Sequence, residues 1–194
     1  LILVAQDTAC YGKDMGEYKV VCTEYGDFEG KAVIIATGSK HRHLGLEGEE
    51  ELIGSGISFC AVCDGAFFKD QDVAVIGGGN SALVEALQLS ELCKTVYVVQ
   101  NLEYLTGEAA LCKRIDEKDN IKVFVSATVD SIIGDDTFKG ININTNGNIS
   151  ELKLDGMFVA IGLIPQNEPF ANVVNLDERG YVASDENCLT NADG

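Results

Sequence analysis

The sequence predicts an α/β protein built around a parallel β-sheet. The apolar run from Gln71 to Ile76 is followed by three glycines and then by a stretch with apolar residues at helical spacing. A second apolar run follows at Thr95–Val99, so strand, glycine turn, helix and strand succeed one another over Asp72–Gln100. This order defines a βαβ unit, whose strands are parallel and whose crossover is right-handed. Over Ile121–Leu154 the apolar residues alternate with a period of two, which predicts a β-meander.

The composition of the 194-residue chain indicates a folded, acidic protein, because 46% of its residues are hydrophobic and only two are proline. Its 31 acidic residues against 14 lysines and arginines give a formal net charge of −17. Nucleic acids and anionic membranes attract basic patches, so this charge argues against both as partners. No apolar run approaches the roughly 20 residues that cross a bilayer. Seven scattered cysteines without a secretion signal predict a cytoplasmic protein.

The first fifty residues predict short strands, tight turns and a linker. The opening Leu1-Ile2-Leu3-Val4 has the pattern of a strand already under way, so we expect the chain to be a fragment. Strands are predicted at Lys19–Glu24 and Lys31–Thr37, with a turn at Gly26–Gly30 between them. The second strand is a continuous apolar run, typical of a strand that is buried on both faces. The polar segment Lys40–Glu51 predicts a linker.

Both histidines, His41 and His43, lie in this linker without a partner at metal-ligand spacing, so we expect them to be solvated. The elements predicted beyond the linker are helices at Ser81–Cys93 and Glu108–Lys118 and strands at Ile121–Val125, Thr128–Ile133, Phe138–Asn144, Ile149–Leu154 and Met157–Gly162. The first four of these strands are assigned to the meander, and Asn146-Gly147 is a two-residue hairpin signal within it. The last is a continuous apolar strand, predicted to be buried.

Two cysteines, Cys60 and Cys63, have a spacing that demands an explanation. Such a pair can close into a small disulfide and can lower the pKa of one thiol, and Asp64 beside it can relay protons. The alternatives are half of a zinc site or two core cysteines. A zinc site needs a second ligand pair, and Cys93 and Cys112 lack neighbouring ligands. The other five cysteines, together with Phe67 and Phe68, are predicted to be core residues.

The glycine turn has the context of a nucleotide-binding loop, because it links a strand to a helix whose first amides can face a pyrophosphate. The loop comprises Gly77, Gly78, Gly79, Asn80, Ser81 and Ala82. With the meander, it predicts a Rossmann-like, three-layer nucleotide-binding domain. Tight strand–helix packing without a ligand is the alternative. At the end of the second strand Gln100 is followed by Asn101 and Leu102, so neither an acid for NAD nor an arginine for NADP is present there.

Three stretches, Cys60–Gly65, Val73–Glu85 and Gly156–Pro165, closely resemble bacterial low-molecular-weight thioredoxin reductases, members of the class II pyridine nucleotide-disulfide oxidoreductases. Ala36, Thr37 and Gly38, as well as Gly45-Leu46, fit the same family, so the resemblance covers essentially the whole chain. A close relative in the superfamily is the NADH-using flavoprotein that reduces alkyl hydroperoxide reductase.

The resemblance implies a two-domain, homodimeric flavoenzyme with FAD and NADPH or NADH as cofactors and thioredoxin or a similar thiol protein as partner. Residues 45–164 would form the nucleotide and redox domain, and residues 1–44 and 165–194 would be incomplete pieces of a FAD-binding domain. Ala36, Thr37 and Gly38 would belong to the FAD side. We therefore expect the chain as given not to hold FAD properly and not to complete a catalytic cycle.

The resemblance also implies residue roles. Hydride would pass from nicotinamide to flavin, and the flavin would reduce the Cys60–Cys63 disulfide. Cys63 would face the flavin, Cys60 would attack the disulfide of the protein substrate, and Asp64 would act as the acid. The loop Gly77–Ala82 would bind the nucleotide, and the linkers at 40–45 and 163–166 would be hinges for a domain rotation.

The chain departs from the family pattern at Gln100-Asn101-Leu102, where NADPH-using members have a His-Arg-Arg type of sequence. Thr106 and Gly107 stand where a further arginine falls in those members. The expectation is therefore a disulfide reductase with an open electron source, which can be NADPH, NADH or ferredoxin. A non-catalytic nucleotide-binding module with a redox switch is the alternative from another class.

Overall fold

A computed structural model describes residues 9–193 and divides the chain into two compact units. One unit comprises the chain up to Lys40 together with the chain from Leu163 onward, and the other comprises His41–Gly162. The strand predicted over Leu1–Val4 lies outside the described residues.

The strands, in chain order, are Ala9–Asp14 (β1), Lys19–Thr23 (β2), Gly26–Gly30 (β3), Ser39–His41 (β4), Ile57–Ser58 (β5), Asp72–Ile76 (β6), Thr95–Val99 (β7), Ile121–Phe124 (β8), Ala127–Gly134 (β9), Phe138–Thr145 (β10), Asn148–Lys153 (β11), Gly156–Val159 (β12) and Leu163–Pro165 (β13). The α-helices are Glu49–Leu52 (α1), Ala61–Asp64 (α2), Asn80–Ser90 (α3) and Ala109–Asp116 (α4). Short 3-10 helices follow at Gly65–Phe68 and Glu168–Phe170.

The unit His41–Gly162 is organised around a five-stranded parallel sheet in the order β5-β12-β6-β7-β8. Strand β6 lies at its centre and pairs in parallel with β7 and with β12. The predicted βαβ unit is therefore confirmed, with α3 as the crossover between β6 and β7. Val73, Ala74 and Val75 of β6 are all 0% exposed, as the continuous apolar run predicted.

Alternate residues of the parallel sheet belong to two separate cores, one on each face of the sheet. The unit therefore has three layers: helices, parallel sheet and antiparallel sheet. Val73 and Val75 pack with apolar residues of α3 and with Ile115 of α4. Ala74 and Ile76 point to the other face and join a second core with residues of the antiparallel sheet. Because successive side chains of β6 point to opposite faces of the sheet, each face packs against one of the two cores. Burial on both faces explains why the strand is uniformly apolar.

The meander is the antiparallel sheet β11-β10-β9. Its hairpin turn lies at Asn146-Gly147, where both residues have positive φ (53° and 86°), as a two-residue hairpin turn requires. The assignment of Ile121–Val125 to the meander is wrong, because β8 pairs in parallel with β7 at the edge of the central sheet. An alternating apolar pattern occurs in edge strands of parallel and antiparallel sheets alike, so it does not distinguish them. The crossover through α4 between β7 and β8 makes β8 parallel to β7.

In the other unit β1, β2 and β3 form an antiparallel sheet. Strand β2 is confirmed, but the turn predicted at Gly26–Gly30 is a strand. The hairpin turn lies earlier, at Glu24-Tyr25. The hydroxyl of Thr23, the last residue of β2, accepts a hydrogen bond from the Tyr25 amide (3.1 Å) and donates to the Gly26 carbonyl (2.9 Å). A threonine side chain, rather than a glycine pair, builds this turn.

The buried strand predicted at Lys31–Thr37 is wrong. The segment forms no regular element, and Ile34 in the middle of the apolar run is 87% exposed. A buried strand needs neighbours for its amides and carbonyls, and no strand within residues 9–193 pairs with this segment. Apolar residues alone therefore do not produce the strand.

The segment predicted to be a linker is more ordered than its polarity suggested. It begins with β4, which pairs with β13, and it ends in α1. Glu49 of α1 is 1% exposed, and its carboxylate accepts hydrogen bonds from the amides of Leu44 (2.9 Å) and Gly45 (2.7 Å). One buried carboxylate thus fixes the backbone of the linker's second half.

None of the helices within residues 9–193 is long and apolar enough to cross a membrane.

Candidate functional site

Cys60 and Cys63 are joined as a disulfide, with their Cα atoms 5.3 Å apart. Cys60 precedes the four-residue helix α2, and its sulfur accepts a hydrogen bond from the Cys63 amide (3.2 Å). The pair therefore closes one helical turn, as its spacing allows. Sulfurs bonded to each other do not ligate a metal, so the structure favours the redox interpretation over the zinc interpretation.

Helix α2 is anchored on one face and open on the other. Ala61 is buried, and a Cβ added at Gly65 would meet the Leu89 side chain of α3 at 3.0 Å. Cys63 is exposed, whereas Cys60 is only partly exposed. The disulfide consequently lies at the surface of the His41–Gly162 unit.

Two exposed apolar side chains lie close in sequence to the disulfide. Val62, between the two cysteines, is 76% exposed, and Phe67 is 78% exposed. The prediction that Phe67 is a core residue is therefore wrong. It is confirmed for Phe68, which contacts the core phenylalanine Phe158 edge-on with ring centroids 5.5 Å apart.

Asp64 is held by a hydrogen bond from a serine that lies outside the Cys-x-x-Cys motif. Ser58, at the end of β5, is 6% exposed, and its hydroxyl donates a hydrogen bond to Asp64 Oδ2 (2.6 Å). The Ser58 hydroxyl oxygen also accepts a hydrogen bond from the Cys60 amide (3.0 Å). No sequence motif indicates Ser58, since a serine two residues before a cysteine is unremarkable without the fold that brings Asp64 to it.

The two histidines each pack one ring against a phenylalanine beside the disulfide. His41 and His43 each stack on Phe59, the residue before Cys60, with ring centroids 4.9 Å apart in both cases. His43 Nδ1 also lies 2.5 Å from Glu50 Oε1. The prediction of solvated linker histidines is confirmed in that His41 is exposed and His43 is partly exposed, and the stacking on Phe59 is an additional contact that the sequence did not predict.

The glycine loop has different requirements at its two outer glycines. Gly77 has φ +128°, and a Cβ there would lie 2.5 Å from the Ala160 carbonyl oxygen, so the turn demands glycine. At Gly79 the nearest atom to such a Cβ would be Thr106 Oγ1 at 3.8 Å. Gly79 thus leaves open space directly before α3, where the first amides of a helix favour an anion. Ala82, on the first turn of α3, is fully buried.

The segment after β7 folds back onto the glycine loop. The amides of Thr106 and Gly107 donate to the Gly78 carbonyl (2.8 and 3.1 Å). Asn80 is engaged in the same way, because its side-chain oxygen accepts from the Glu108 amide (2.7 Å) and its side-chain nitrogen donates to Glu108 Oε1 (3.2 Å). Ser81 is exposed on the first turn of α3. These contacts give the loop a defined shape.

Gln100 is part of this internal framework. It is 5% exposed, and a Cβ added at Gly78 would meet its carboxamide at 2.6 Å. Its side-chain oxygen accepts from the Asn101 amide (3.2 Å), and its nitrogen donates to the Tyr104 carbonyl (3.3 Å). Its polar atoms are therefore satisfied within the loop. The exposed residues that follow it, Asn101 to Tyr104, carry no cation.

Ala36, Thr37 and Gly38 belong to the other unit. Thr37 donates a hydrogen bond to the side chain of Asn167 (2.6 Å), and the Gln166 amide donates to the Gly38 carbonyl (3.1 Å). Gly38 has φ +72°, so glycine permits the turn at this point. Thr37 and Gly38 are thus hydrogen-bonded to residues 166–167, and all three predicted residues lie in a unit separate from the disulfide and the glycine loop.

Burial shifts the pKa of two groups beside the central sheet. On α3, burial raises the pKa of Glu85 to about 7. Burial, reinforced by Asp70 and Asp72, raises the pKa of the Cys93 thiol to about 11, so this thiol is protonated and inert. The prediction of core cysteines is confirmed for Cys22 and Cys93, and Cys112 is partly buried against the same core as Cys93. It is wrong for Cys188, which is exposed, and the side chain of Cys10 lies outside the described residues.

A three-layer Rossmann-type unit that carries both a glycine loop and a surface disulfide is typical of disulfide oxidoreductases linked to a nucleotide. Residues 2–194 match the family model described as pyridine nucleotide-disulphide oxidoreductase, and the chain belongs to this family. It is 38% identical over 184 residues to thioredoxin reductase of Listeria monocytogenes, which covers 93% of this chain. It is 40% identical over 168 residues to the F component of alkyl hydroperoxide reductase of Staphylococcus epidermidis, covering 86% of this chain and 33% of that protein.

Solved structures agree with this assignment. The crystal structure of T. acidophilum thioredoxin reductase matches 95% of this chain, and 62% of its own, with a TM-score of 0.85 and 35% identity. A ferredoxin-flavin thioredoxin reductase from Clostridium acetobutylicum matches 93% of this chain, and 57% of its own, with a TM-score of 0.50 and 27% identity. The predicted resemblance to thioredoxin reductases is confirmed. The chain spans 58% of the length of the Listeria relative.

Proposed function

We propose that this chain is the disulfide-bearing part of a thioredoxin reductase-like flavoprotein. In the intact protein, electrons from a reduced nucleotide would pass through FAD to the Cys60–Cys63 disulfide and on to thioredoxin. The observation that carries the proposal is the disulfide itself, which lies at the surface of a Rossmann-type unit and is followed directly in the chain by Asp64. Family membership implies FAD and a pyridine nucleotide as cofactors. Bound FAD would supply the two electrons that open the disulfide.

The chain's own residues then perform dithiol–disulfide exchange. The thiolate of Cys60 attacks one sulfur of the partner's disulfide, so a mixed disulfide forms and one partner thiolate leaves. The thiolate of Cys63 attacks the Cys60 sulfur, which restores the Cys60–Cys63 bond and releases the second partner thiolate. Two electrons pass to the partner, and the two protons lost by the cysteines balance those that the partner thiolates gain. Asp64 is assigned the role of transferring the protons of the Cys60 and Cys63 thiols.

The partner class follows from the surroundings of the disulfide. Val62 and Phe67 present apolar surface close to it in sequence, which suits the apolar contact of a protein substrate better than a small polar disulfide. We assign thioredoxin, or a similar thiol protein, as the partner. For the intact protein we also propose a homodimer, as the resemblance implies, and a cytoplasmic location, as the scattered cysteines predict.

The electron source is a separate part of the proposal. The open space at Gly79 before α3 fits a pyrophosphate. Asn101 to Tyr104, however, offer no cation for a 2′-phosphate, and the buried Gln100 is already paired within the loop. We therefore propose that the nucleotide site does not favour NADPH over NADH. Ferredoxin is the second candidate, supported by the similarity to the ferredoxin-flavin thioredoxin reductase from Clostridium acetobutylicum.

The test of the thiol chemistry uses the 194-residue chain after reduction and removal of the reductant. Mixed anaerobically with oxidised bacterial thioredoxin, the chain should reduce one equivalent, as measured by alkylation of free thiols and mass spectrometry. Cys60→Ser should abolish this transfer. Cys63→Ser should stop at a covalent complex through Cys60, because no second thiolate resolves it.

Cys112→Ser, which removes a thiol outside the disulfide, is the matched control and should behave like the unchanged chain. Transfer that persists in Cys60→Ser, or a complex trapped through Cys63 instead, would reverse the assigned roles of the two sulfurs. A chain that reacts with a small disulfide but not with thioredoxin would contradict the partner assignment. It would leave the redox assignment of the disulfide intact.

A further inference from the structure

Ser58 connects three parts of the disulfide site through one hydroxyl group. Its backbone lies in the parallel sheet, where Ser58 of β5 is paired with Phe158 of β12. Its hydroxyl accepts a hydrogen bond from the Cys60 amide (3.0 Å) and donates one to Asp64 Oδ2 (2.6 Å). With only 6% exposure, Ser58 makes both bonds away from bulk water. The carboxylate at one end of α2 is thereby joined to the main chain of the cysteine at the other end.

This connection is needed because α2 is short. A helix of four residues has little stability of its own and takes its position from contacts with the rest of the fold. The Ala61 side of α2 is held by packing, but Asp64 is only half-buried and lies at the open end. A carboxylate without an anchor there would rotate toward solvent. The hydroxyl of Ser58 occupies one carboxylate oxygen and leaves the other available for a proton.

We infer that Ser58 is a positioning residue for thiol–disulfide exchange, acting by holding the Asp64 carboxylate in place beside the Cys60–Cys63 pair. The inference rests on the proposed function, since it assigns Ser58 a role in the same site. Among the hydrogen bonds of residues 9–193, the Ser58 hydroxyl pairs with Asp64 and with the Cys60 amide and not with either sulfur, so it acts through these two groups. Hydrogen bonds that fix a catalytic group in this way often account for a substantial part of its effect.

The experiment measures how fast the reduced chain exchanges with two oxidants, an aromatic disulfide followed by absorbance and oxidised thioredoxin followed by thiol alkylation. Ser58→Ala should slow exchange roughly tenfold, a part of the 10²–10⁴-fold that a positioned proton carrier contributes. Ser58→Thr retains the hydroxyl and should restore most of the rate. Circular dichroism and thermal unfolding establish that each variant is folded.

A double-mutant cycle separates positioning from a general structural effect. In an Asp64→Asn background Ser58→Ala should change the rate little, because the carboxylate that Ser58 positions is gone. Equal slowing by Ser58→Ala with and without the Asp64 carboxylate would overturn the inference, as would an unchanged rate in Ser58→Ala alone. The aromatic disulfide reports on Ser58 even if thioredoxin proves to be the wrong partner, so the two proposals fail separately.

Discussion

At the scale of single residues, the disulfide site is held by partners that are close in sequence but lie on different elements. Ser58 ends a strand, Cys60 precedes a helix and Asp64 closes that helix, yet two hydrogen bonds at one hydroxyl join all three. Another carboxylate, in contrast, has a buried oxygen without a hydrogen-bond partner. Oε2 of Glu85 on α3 is buried and has no hydrogen-bond partner within the described residues.

Glu85 predicts a specific pH dependence of stability. Burial raises its pKa from the usual 4.5 to about 7, so between these values the unfolded chain has lost the proton while the folded chain keeps it. Stability contributed at this residue is therefore full below about pH 4.5, falls as pH rises to about 7, and stays lower above that. Glu85→Gln should remove the decline and stabilise the protein at pH 8 by about 1 kcal/mol, allowing for solvent screening.

Urea unfolding at pH 5 and pH 8, followed by circular dichroism, measures this difference. Glu51→Gln, which removes the same charge from an exposed position on α1, is the control and should leave the pH dependence unchanged. A decline with pH that is as steep in Glu85→Gln as in the unchanged protein would contradict the assignment.

At the scale of elements, two glycines of the strand–glycine loop–helix unit have different roles, one in folding and the other in the proposed nucleotide binding. Gly77 is required by the turn itself, because a side chain there would meet the Ala160 carbonyl at 2.5 Å and φ is +128°. Gly79 has ordinary extended backbone, and a Cβ added there would have only Thr106 Oγ1 within 4 Å. A methyl group at Gly79 therefore projects into the space where a pyrophosphate would approach.

Gly79→Ala should consequently fold normally but lose affinity for NADH and NADPH by tenfold or more, an order-of-magnitude estimate for a lost close approach. Gly77→Ala, the matched variant two residues away, should instead destabilise the fold by about 2 kcal/mol or more. Calorimetric titration of the 194-residue chain and urea unfolding give the two quantities. Normal affinity in a folded Gly79→Ala would contradict the nucleotide assignment of the loop.

The same titration examines which nucleotide the loop prefers. The unchanged chain should show no preference for NADPH, and the double substitution Asn101→Arg and Leu102→Arg should raise affinity for NADPH but not for NADH. The physical reason is that guanidinium groups pair with the 2′-phosphate, which NADH lacks. A clear NADPH preference in the unchanged chain would show that some other group binds this phosphate.

At the scale of the whole molecule, the two units differ in how much core they contain. Both apolar cores consist entirely of residues from the unit His41–Gly162. The ends of this unit are joined, because the Arg42 amide donates a hydrogen bond to the Gly162 carbonyl (3.0 Å). In the other unit the apolar run at Val33–Ile35 is left partly or largely exposed.

Residues 41–162 alone should therefore fold cooperatively and form the Cys60–Cys63 disulfide. The expected result is a single unfolding transition with about the same free energy as this unit has in the longer chain, since every residue of its two cores is retained. Circular dichroism and amide hydrogen exchange measure this. A fragment without protected amides in β6 and β7 would contradict the independence of this unit.

Three features could be predicted from the amino-acid sequence: the βαβ unit, the hairpin at Asn146-Gly147 and the capacity of Cys60 and Cys63 to pair. Each depends on residues a short distance apart, so local conformation and apolar periodicity suffice to predict them. Three others depend on contacts made in the folded chain: β8 joins the parallel sheet, Lys31–Thr37 is not a buried strand, and Phe67 faces solvent. Strand partners and burial are supplied by residues distant in sequence, and no local pattern contains them. Ser58 belongs with this second group, because its role exists only where the fold brings Asp64 to its hydroxyl.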